Sequence, residues 1–447
     1  MNDTIAAIAT ANGVGSISIL RLSGDRSLSI ALQLTQKTHL QPRHATLSAL
    51  HHNDGTLIDE AVVIYFQAPR SFTGEEIIEF QCHGGTIVAE SMLRAVLSMG
   101  ARLAEPGEFS KRAFLNGRLD LTQAEATAAL IEAKSDDAAR ILARQMKGEL
   151  RGYIEQIRDS LLEILAYSEV VIDYAEEDLP QDVVEQIVVK LERIKHTLSR
   201  TLESSRRRSG LMQGFRVAII GKPNVGKSSL LNALLDYERA IVSDIAGTTR
   251  DTIEEQVRIG THLIRLVDTA GIRNAHDEIE RIGIERSISA IENADVVISL
   301  FDSSREMDDE DRAIIDLIER YRNEKPFISI LNKSDLTEVF DVSAIGQYAP
   351  IRLSCKQDTQ LLVDALSALM DHENDSEEMM LISQRQISAT ENAVRAIDEA
   401  YEPLQDGELE FFSFHINAAI RAVASISRPY ELDEMFDKMF GQFCLGK

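Results

Sequence analysis

The spacing of apolar positions divides the chain into three textures. Up to about residue 118, short β-rich runs, Ile17-Ser18-Ile19-Leu20 and Ala61-Val62-Val63-Ile64-Tyr65-Phe66, alternate with glycine turns. One stretch, Gly84 through Gly100, reads as a helix, so residues 1–118 predict a compact α+β domain. From about 120 to 205 the period becomes helical. Leu121, Ala124, Glu125, Ala128 and Ile131 open an alanine-rich run, Leu161, Leu162, Ile164 and Leu165 lie in a second, and Val183 to Leu202 form a third. Almost no Pro or Gly interrupts them, as stable helices require.

From about 211 to 372, strand cores at Phe215 to Ile220, Leu263 to Val267, Val296 to Phe301, Phe327 to Leu331 and Ile351 to Leu353 alternate with helices. This alternation predicts a mostly parallel sheet covered on both faces. An acidic joint, Asp371 to Glu378, precedes a return to helical texture. The expected layout is multidomain α/β: an N-terminal α+β domain (1–118), a first helical half (119–210), an inserted α/β domain (211–375) and a second helical half (376–447). Neither helical half buries its apolar stripe alone, so the two should pack together.

The 447 residues allow two to four domains with real cores. Aromatics are 5% and Trp is absent, which disfavours a stacking platform for single strands. The net charge of −25 excludes a general nucleic-acid binder, so any RNA contact needs a local basic patch or a partner. Arg206-Arg207-Arg208-Ser209-Gly210 reads as a solvated linker, with an RNA patch as the competing reading. Three cysteines, Cys82, Cys355 and Cys444, exclude a disulfide framework and suggest a reducing compartment. There is no membrane-length apolar run, and the opening residues do not fit a signal peptide. The expectation is a cytoplasmic protein.

Gly221-Lys222-Pro223-Asn224-Val225-Gly226-Lys227-Ser228 fits the phosphate-loop pattern between a strand and a helix expected from Ser229. The glycines let successive N–H groups turn toward phosphates, and the helix start adds partial positive charge. Lys227 would bridge the β- and γ-phosphates, and Ser228 would bind Mg²⁺. Asp268-Thr269-Ala270-Gly271 follows a later strand: Asp268 would hold Mg²⁺ through water and the Gly271 N–H would meet the γ-phosphate. Asn332-Lys333-Ser334-Asp335 follows another. The Asp335 carboxylate accepts from guanine N1–H and the 2-amino group, which adenine cannot supply, so it selects GTP. Asn332 would tie this loop to the phosphate loop, Lys333 would lie over the base, and Ser354-Cys355-Lys356 would complete the pocket.

Catalysis departs from the Ras-like scheme. The residue after Asp-Thr-Ala-Gly is Ile272, which cannot orient a water as the usual glutamine does, and no arginine finger is evident. Glu280 is a candidate to place the water, although its spacing alone favours a solvated helix residue. Asn224 and the segment Ser243-Asp244-Ile245-Ala246-Gly247-Thr248-Thr249-Arg250 suggest a K⁺ held by the Asn224 side chain and backbone carbonyls, supplying charge where a finger would. Thr249 would be the second Mg²⁺ ligand.

The whole chain resembles the MnmE (TrmE) family of tRNA-modification GTPases. In the first domain the resemblance rests on Ile19-Leu20-Arg21-Leu22-Ser23-Gly24, Ser71-Phe72-Thr73-Gly74-Glu75-Glu76, His83-Gly84-Gly85, Glu105-Pro106-Gly107-Glu108-Phe109 and Phe114-Leu115-Asn116-Gly117-Arg118-Leu119-Asp120-Leu121. Later it rests on Ile245 to Asp251, Glu280-Arg281-Ile282-Gly283-Ile284-Glu285 and Phe443-Cys444-Leu445-Gly446-Lys447. The family's early Pro-Pro-Gly is Ala11-Asn12-Gly13 here.

The resemblance implies a homodimerising N-terminal domain that binds a 5-formyl-tetrahydrofolate-type cofactor through Arg21, Glu79 and Arg118, with Lys447 closing from the C-terminus. It makes Asn224, Ser243, Ile245 and Thr248 the K⁺ ligands and Glu280 catalytic. It implies joint action with the FAD protein MnmG on C5 of the wobble uridine of certain tRNAs, adding an aminomethyl or carboxymethylaminomethyl group. It also makes Cys444 required for modification, as a nucleophile or as part of a structural tail. Two other readings remain: an Era/Der-like ribosome-assembly GTPase without modification chemistry, and a folate-dependent aminomethyltransferase of small molecules.

Overall fold

The computed structural model describes residues 3–11, 13–173, 181–239, 255–267, 281–374 and 379–428. The chain divides into two compact units, one drawn from Met1–Ile131, Ala143–His196 and Ser383–Lys447, the other from Glu132–Leu142 and Thr197–Ile382.

The first unit opens with strands β1 (Ile5–Ile8), β2 (Ile17–Ser23), β3 (Thr46–His51), β4 (Leu57–Phe66), β5 (Ile77–His83) and β6 (Arg102–Leu103), and helices α1 (Ser27–Thr35), α2 (Thr86–Ser98) and α3 (Glu108–Leu115). The strands form one sheet in the order β3-β4-β5-β2-β1-β6, antiparallel except for β1 with β6. Alternation along β2 sends Leu20 and Leu22 into a core with Ile30, Leu34, Phe80, Met92 and Val96, beneath α1 and α2. Arg21 and Ser23 consequently fall on the opposite face, where Ile5, Ala7, Ala104 and Phe109 form a smaller apolar cluster against Phe72.

Long helices follow along the chain, of which the parts within Met1–Ile131, Ala143–His196 and Ser383–Lys447 belong to this unit. Leu121–Glu132 (α4) is followed by Asp136–Met146 (α5), Glu149–Asp173 (α6), Gln181–Arg207 (α7), and later by two helices over Gln384–Gln405 and Leu409–Ser427. The last packs against both Gln384–Gln405 and α6. Arg385 forks onto Glu125 at 2.7 and 3.0 Å and also donates to the Ser425 and Ile426 carbonyls, so one bidentate pair joins segments about 260 residues apart in sequence.

In the second unit, strands β7 (Phe215–Ile220), β8 (Glu255–Ile259), β9 (His262–Val267), β10 (Val296–Asp302), β11 (Phe327–Asn332) and β12 (Ile351–Arg352) form a sheet in the order β12-β11-β10-β7-β9-β8. It is parallel except for β8, which pairs antiparallel with β9 at the edge. Every residue of β10 is buried, as expected of a central strand covered on both faces. The strand order reverses beside β7, so the connections leaving β7 and β10 open a crevice at the carboxyl ends of the strands. The segment Glu132–Leu142 also belongs to this unit: Lys134 donates to Gln256 at 2.9 Å and Arg258 pairs with Asp136 at 2.7 Å. No helix among the described residues is long and apolar enough to cross a membrane.

Candidate active site

The phosphate loop leaves β7 at Gly221 and runs into helix Lys227–Arg239, two residues earlier than the sequence suggested. Lys227 and Ser228 therefore occupy the first turn, where backbone N–H groups have no intrahelical acceptor. Two glycines are dictated by contact. Gly221 has φ 154°, and a Cβ there would lie 2.6 Å from the Leu300 carbonyl; Gly226 has φ 108°, and a Cβ would lie 2.3 Å from Asn332 Nδ2. Asn224 holds a left-handed φ of 63°, and its side chain is exposed.

Lys227 folds back over the loop, donating to the Gly221 carbonyl at 2.6 Å and the Lys222 carbonyl at 2.8 Å. Burial pushes its ammonium below the ordinary lysine range, while Glu310 acts weakly against that. Among the described residues this desolvated ammonium is bonded to carbonyls, which it is suited to exchange for phosphate oxygens.

Asn332 binds three loops into one. Its Nδ2 donates to the Val225 carbonyl at 2.7 Å, and its Oδ1 accepts from the Cys355 N–H at 3.1 Å. The Ser334 N–H donates to the Leu353 carbonyl at 3.2 Å, and Ser354 is buried. Burial pushes the Cys355 thiol up to about 11, so this cysteine acts here through its backbone, not as a thiolate. Asp335 and Lys356 are exposed on the adjoining turns. Lys333, at a left-handed φ of 62°, donates to the Asn224 carbonyl at 3.1 Å and to Asp302 Oδ2 at 2.6 Å.

Asp302 was not anticipated from sequence. It ends the apolar strand β10 and is 2% exposed. Burial alone would raise its carboxyl, but hydrogen bonds from Lys333 and Ser304 outweigh it and hold the group below the usual carboxylate range. A carboxylate closing an otherwise apolar run is the signal that could have exposed it.

Asn224, Val225, Gly226, Lys227, Ser228 and Ser229 thus meet Asn332, Lys333, Ser354 and Cys355 at one end of the sheet. Ser243, Asp244, Ile245, Ala246, Gly247, Thr248, Thr249, Asp268, Thr269, Ala270, Gly271, Glu280, Cys444 and Lys447 lie outside the described residues.

On the N-terminal sheet, Arg21 and Glu79 are register partners of β2 and β5. Arg21 reaches Glu79 Oε1 from Nε at 2.9 Å and from Nη2 at 2.8 Å. Its guanidinium lies over Phe72 and Phe109, 5.7 and 5.9 Å from the ring centroids. Arg118 donates from Nε to the Ser71 carbonyl at 3.1 Å, so both arginines border the 71–75 loop. Glu75 is committed elsewhere, to Ser23 at 2.8 Å and the buried Arg112 at 2.9 Å. A carboxylate oxygen, two guanidinium groups and aromatic faces form a donor and acceptor set that fits a folate's pterin and carboxylates.

A sequence profile described as GTP-binding protein TrmE N-terminus matches residues 4–118, and one described as MnmE helical domain matches residues 121–444. The tRNA modification GTPase MnmE of Sulfurimonas denitrificans is 63% identical over 445 residues, covering 100% of this chain and 99% of its own. The chain belongs to the MnmE (TrmE) family. Proteins of the same name from Sulfurovum sp. and Aliarcobacter butzleri are 59% and 57% identical, each covering 100% of this chain and 99% of its own. As an MnmE-family member the chain is a GTPase.

Proposed function

We propose that this protein is a K⁺-activated GTPase that acts with an FAD-containing MnmG-type partner to modify C5 of the wobble uridine of certain tRNAs, in the cytoplasm, as a homodimer within a larger complex. The observation that carries the reading is full-length identity of 63% to a protein named tRNA modification GTPase MnmE. The added group is aminomethyl or carboxymethylaminomethyl, its carbon coming from a tetrahydrofolate held by Arg21, Glu79, Arg118 and Lys447.

In the nucleotide site, Asp335 takes the guanine edge, Lys227 the β- and γ-phosphates, and Ser228 and Thr249 the Mg²⁺. Asn224 with Ser243, Ile245 and Thr248 holds K⁺, and Glu280 orients the attacking water. Held by these residues, Mg²⁺ and K⁺ would supply positive charge against the negative charge that develops on the phosphates. The acidic composition fits a division of labour in which the partner provides much of the basic surface that tRNA needs. Cys444 belongs to the modification chemistry, not to hydrolysis.

The test is mass spectrometry of wobble uridines in tRNA from a deletion strain. The reading expects the C5 substituent to disappear and to return with the wild-type chain. Unchanged modification in the deletion strain would favour the ribosome-assembly alternative.

A further inference from the structure

The second residue of the phosphate loop, Lys222, stands where the motif accepts any side chain, yet it is 7% exposed. A buried lysine needs a partner, and Lys222 has two: Nζ donates to Asp308 Oδ2 at 2.7 Å and to Asp311 Oδ2 at 2.5 Å. These are the two members of the capping box that starts helix Asp309–Tyr321. That start carries four consecutive carboxylates, Asp308, Asp309, Glu310 and Asp311. Lys222 touches this helix start with its side chain and Lys227 with its carbonyl, so the acidic end lies beside the phosphate loop. Asp311 is 1% exposed, and among the described residues its Oδ1 has no hydrogen-bond partner.

We propose that Lys222 is a positioning and screening residue of the GTPase: it neutralises the Asp308–Asp311 pair beside the phosphate site and fixes the loop limb whose carbonyls hold Lys227. One residue makes both links. Its side chain grips the helix start, and its own carbonyl accepts from Lys227 Nζ at 2.8 Å. Without its ammonium, two carboxylates would face an incoming polyanion in a partly desolvated setting, where Coulomb repulsion is poorly screened. The penalty grows with ligand charge, so GTP suffers more than GDP. A purely structural staple would weaken both nucleotides alike and show no special salt dependence.

The experiment measures affinity of the full chain for fluorescent GTP and GDP analogues across a NaCl series. Lys222→Met should weaken GTP about tenfold or more at low salt and GDP by less, with the gap closing as salt rises. Lys222→Arg should bind as wild type. Lys222→Met combined with Asp311→Asn should recover most of the lost GTP affinity, since the uncompensated charge is gone. Asp308→Asn in the wild-type background covers the case in which Lys222→Met does not fold. Asn caps a helix as well as Asp, so the fold is retained, and GTP affinity should rise about two- to threefold at low salt. Equal losses for GTP and GDP, no recovery in the double variant, or unchanged GTP affinity in Asp308→Asn would each overturn the proposal.

Discussion

The Asn332 side-chain amide donates a 2.7 Å hydrogen bond to the Val225 carbonyl, linking two loops 107 residues apart in sequence. Its other end takes the Cys355 N–H, so a single buried amide sets the spacing of the loops that carry Val225 and Cys355. Asn332→Ala would leave a buried acceptor and donor unpaired, at about 1–3 kcal/mol. Guanine-nucleotide affinity should fall roughly fivefold to a hundredfold by stopped-flow binding. Wild-type affinity in that variant would mean that the two loops hold their spacing without it.

Asn224 carries the K⁺ prediction. GTP turnover should rise strongly when Na⁺ is replaced by K⁺ at equal ionic strength. Asn224→Ala should lose most of that rise with nucleotide affinity largely intact. Equal turnover of the wild type in both salts would remove K⁺ from the mechanism.

Asp302 offers a pH-dependent handle. Its folded-state carboxyl is held below the ordinary value of 3.8, so its contribution is fully present above that pH and is lost as pH falls through the lower folded value. Asp302→Asn should cost about 1–3 kcal/mol near neutrality, because the Lys333 ammonium loses its buried partner. Denaturant unfolding should show the gap from wild type shrinking in acid. A gap that persists at the lowest accessible pH would assign it to packing.

The N-terminal pair is tested by calorimetry with 5-formyl-tetrahydrofolate. Arg21→Ala and Glu79→Gln should each weaken binding at least tenfold while GTP hydrolysis is unchanged, because neither residue belongs to the nucleotide site. Wild-type folate affinity in both would dissolve the assignment.

Cys444 and Glu280 separate the two activities. Cys444→Ser should hydrolyse GTP at close to the normal rate yet fail in wobble-uridine modification. Glu280→Ala should bind GTP, hydrolyse it slowly and fail in modification as well. Full modification by Cys444→Ser would take the thiol out of the chemistry.

The elements most legible in the sequence are those whose pattern and context coincide. The run Phe215 to Ile220 is followed at once by a glycine-rich loop, and it forms β7 with the loop where expected. Gly84 to Gly100 contains helix Thr86–Ser98. Less was visible where polarity masks structure. Strand β8, Glu255–Ile259, carries three polar residues in five; as an edge strand it buries the alternate positions Val257 and Ile259 and exposes Gln256. Residues 132–142 read as part of the helical run, yet they group with the parallel sheet through polar contacts such as Arg258 with Asp136, which periodicity cannot register. Lys222, Asp302 and Arg112 are buried charges, and a charge in sequence looks solvated until its partner is known.

If the proposed function holds, guanine-nucleotide turnover at Asp335 drives tRNA modification. Asp335→Asn exchanges a carboxylate acceptor pair for one acceptor and one donor, which suits xanthine in place of guanine. The decisive measurement is wobble-uridine modification by the complete complex containing Asp335→Asn, supplied with GTP or with XTP and read by mass spectrometry of the tRNA. Little product is expected with GTP and restored product with XTP. Undiminished modification with GTP, or none with XTP despite XTP hydrolysis, would contradict the proposed function.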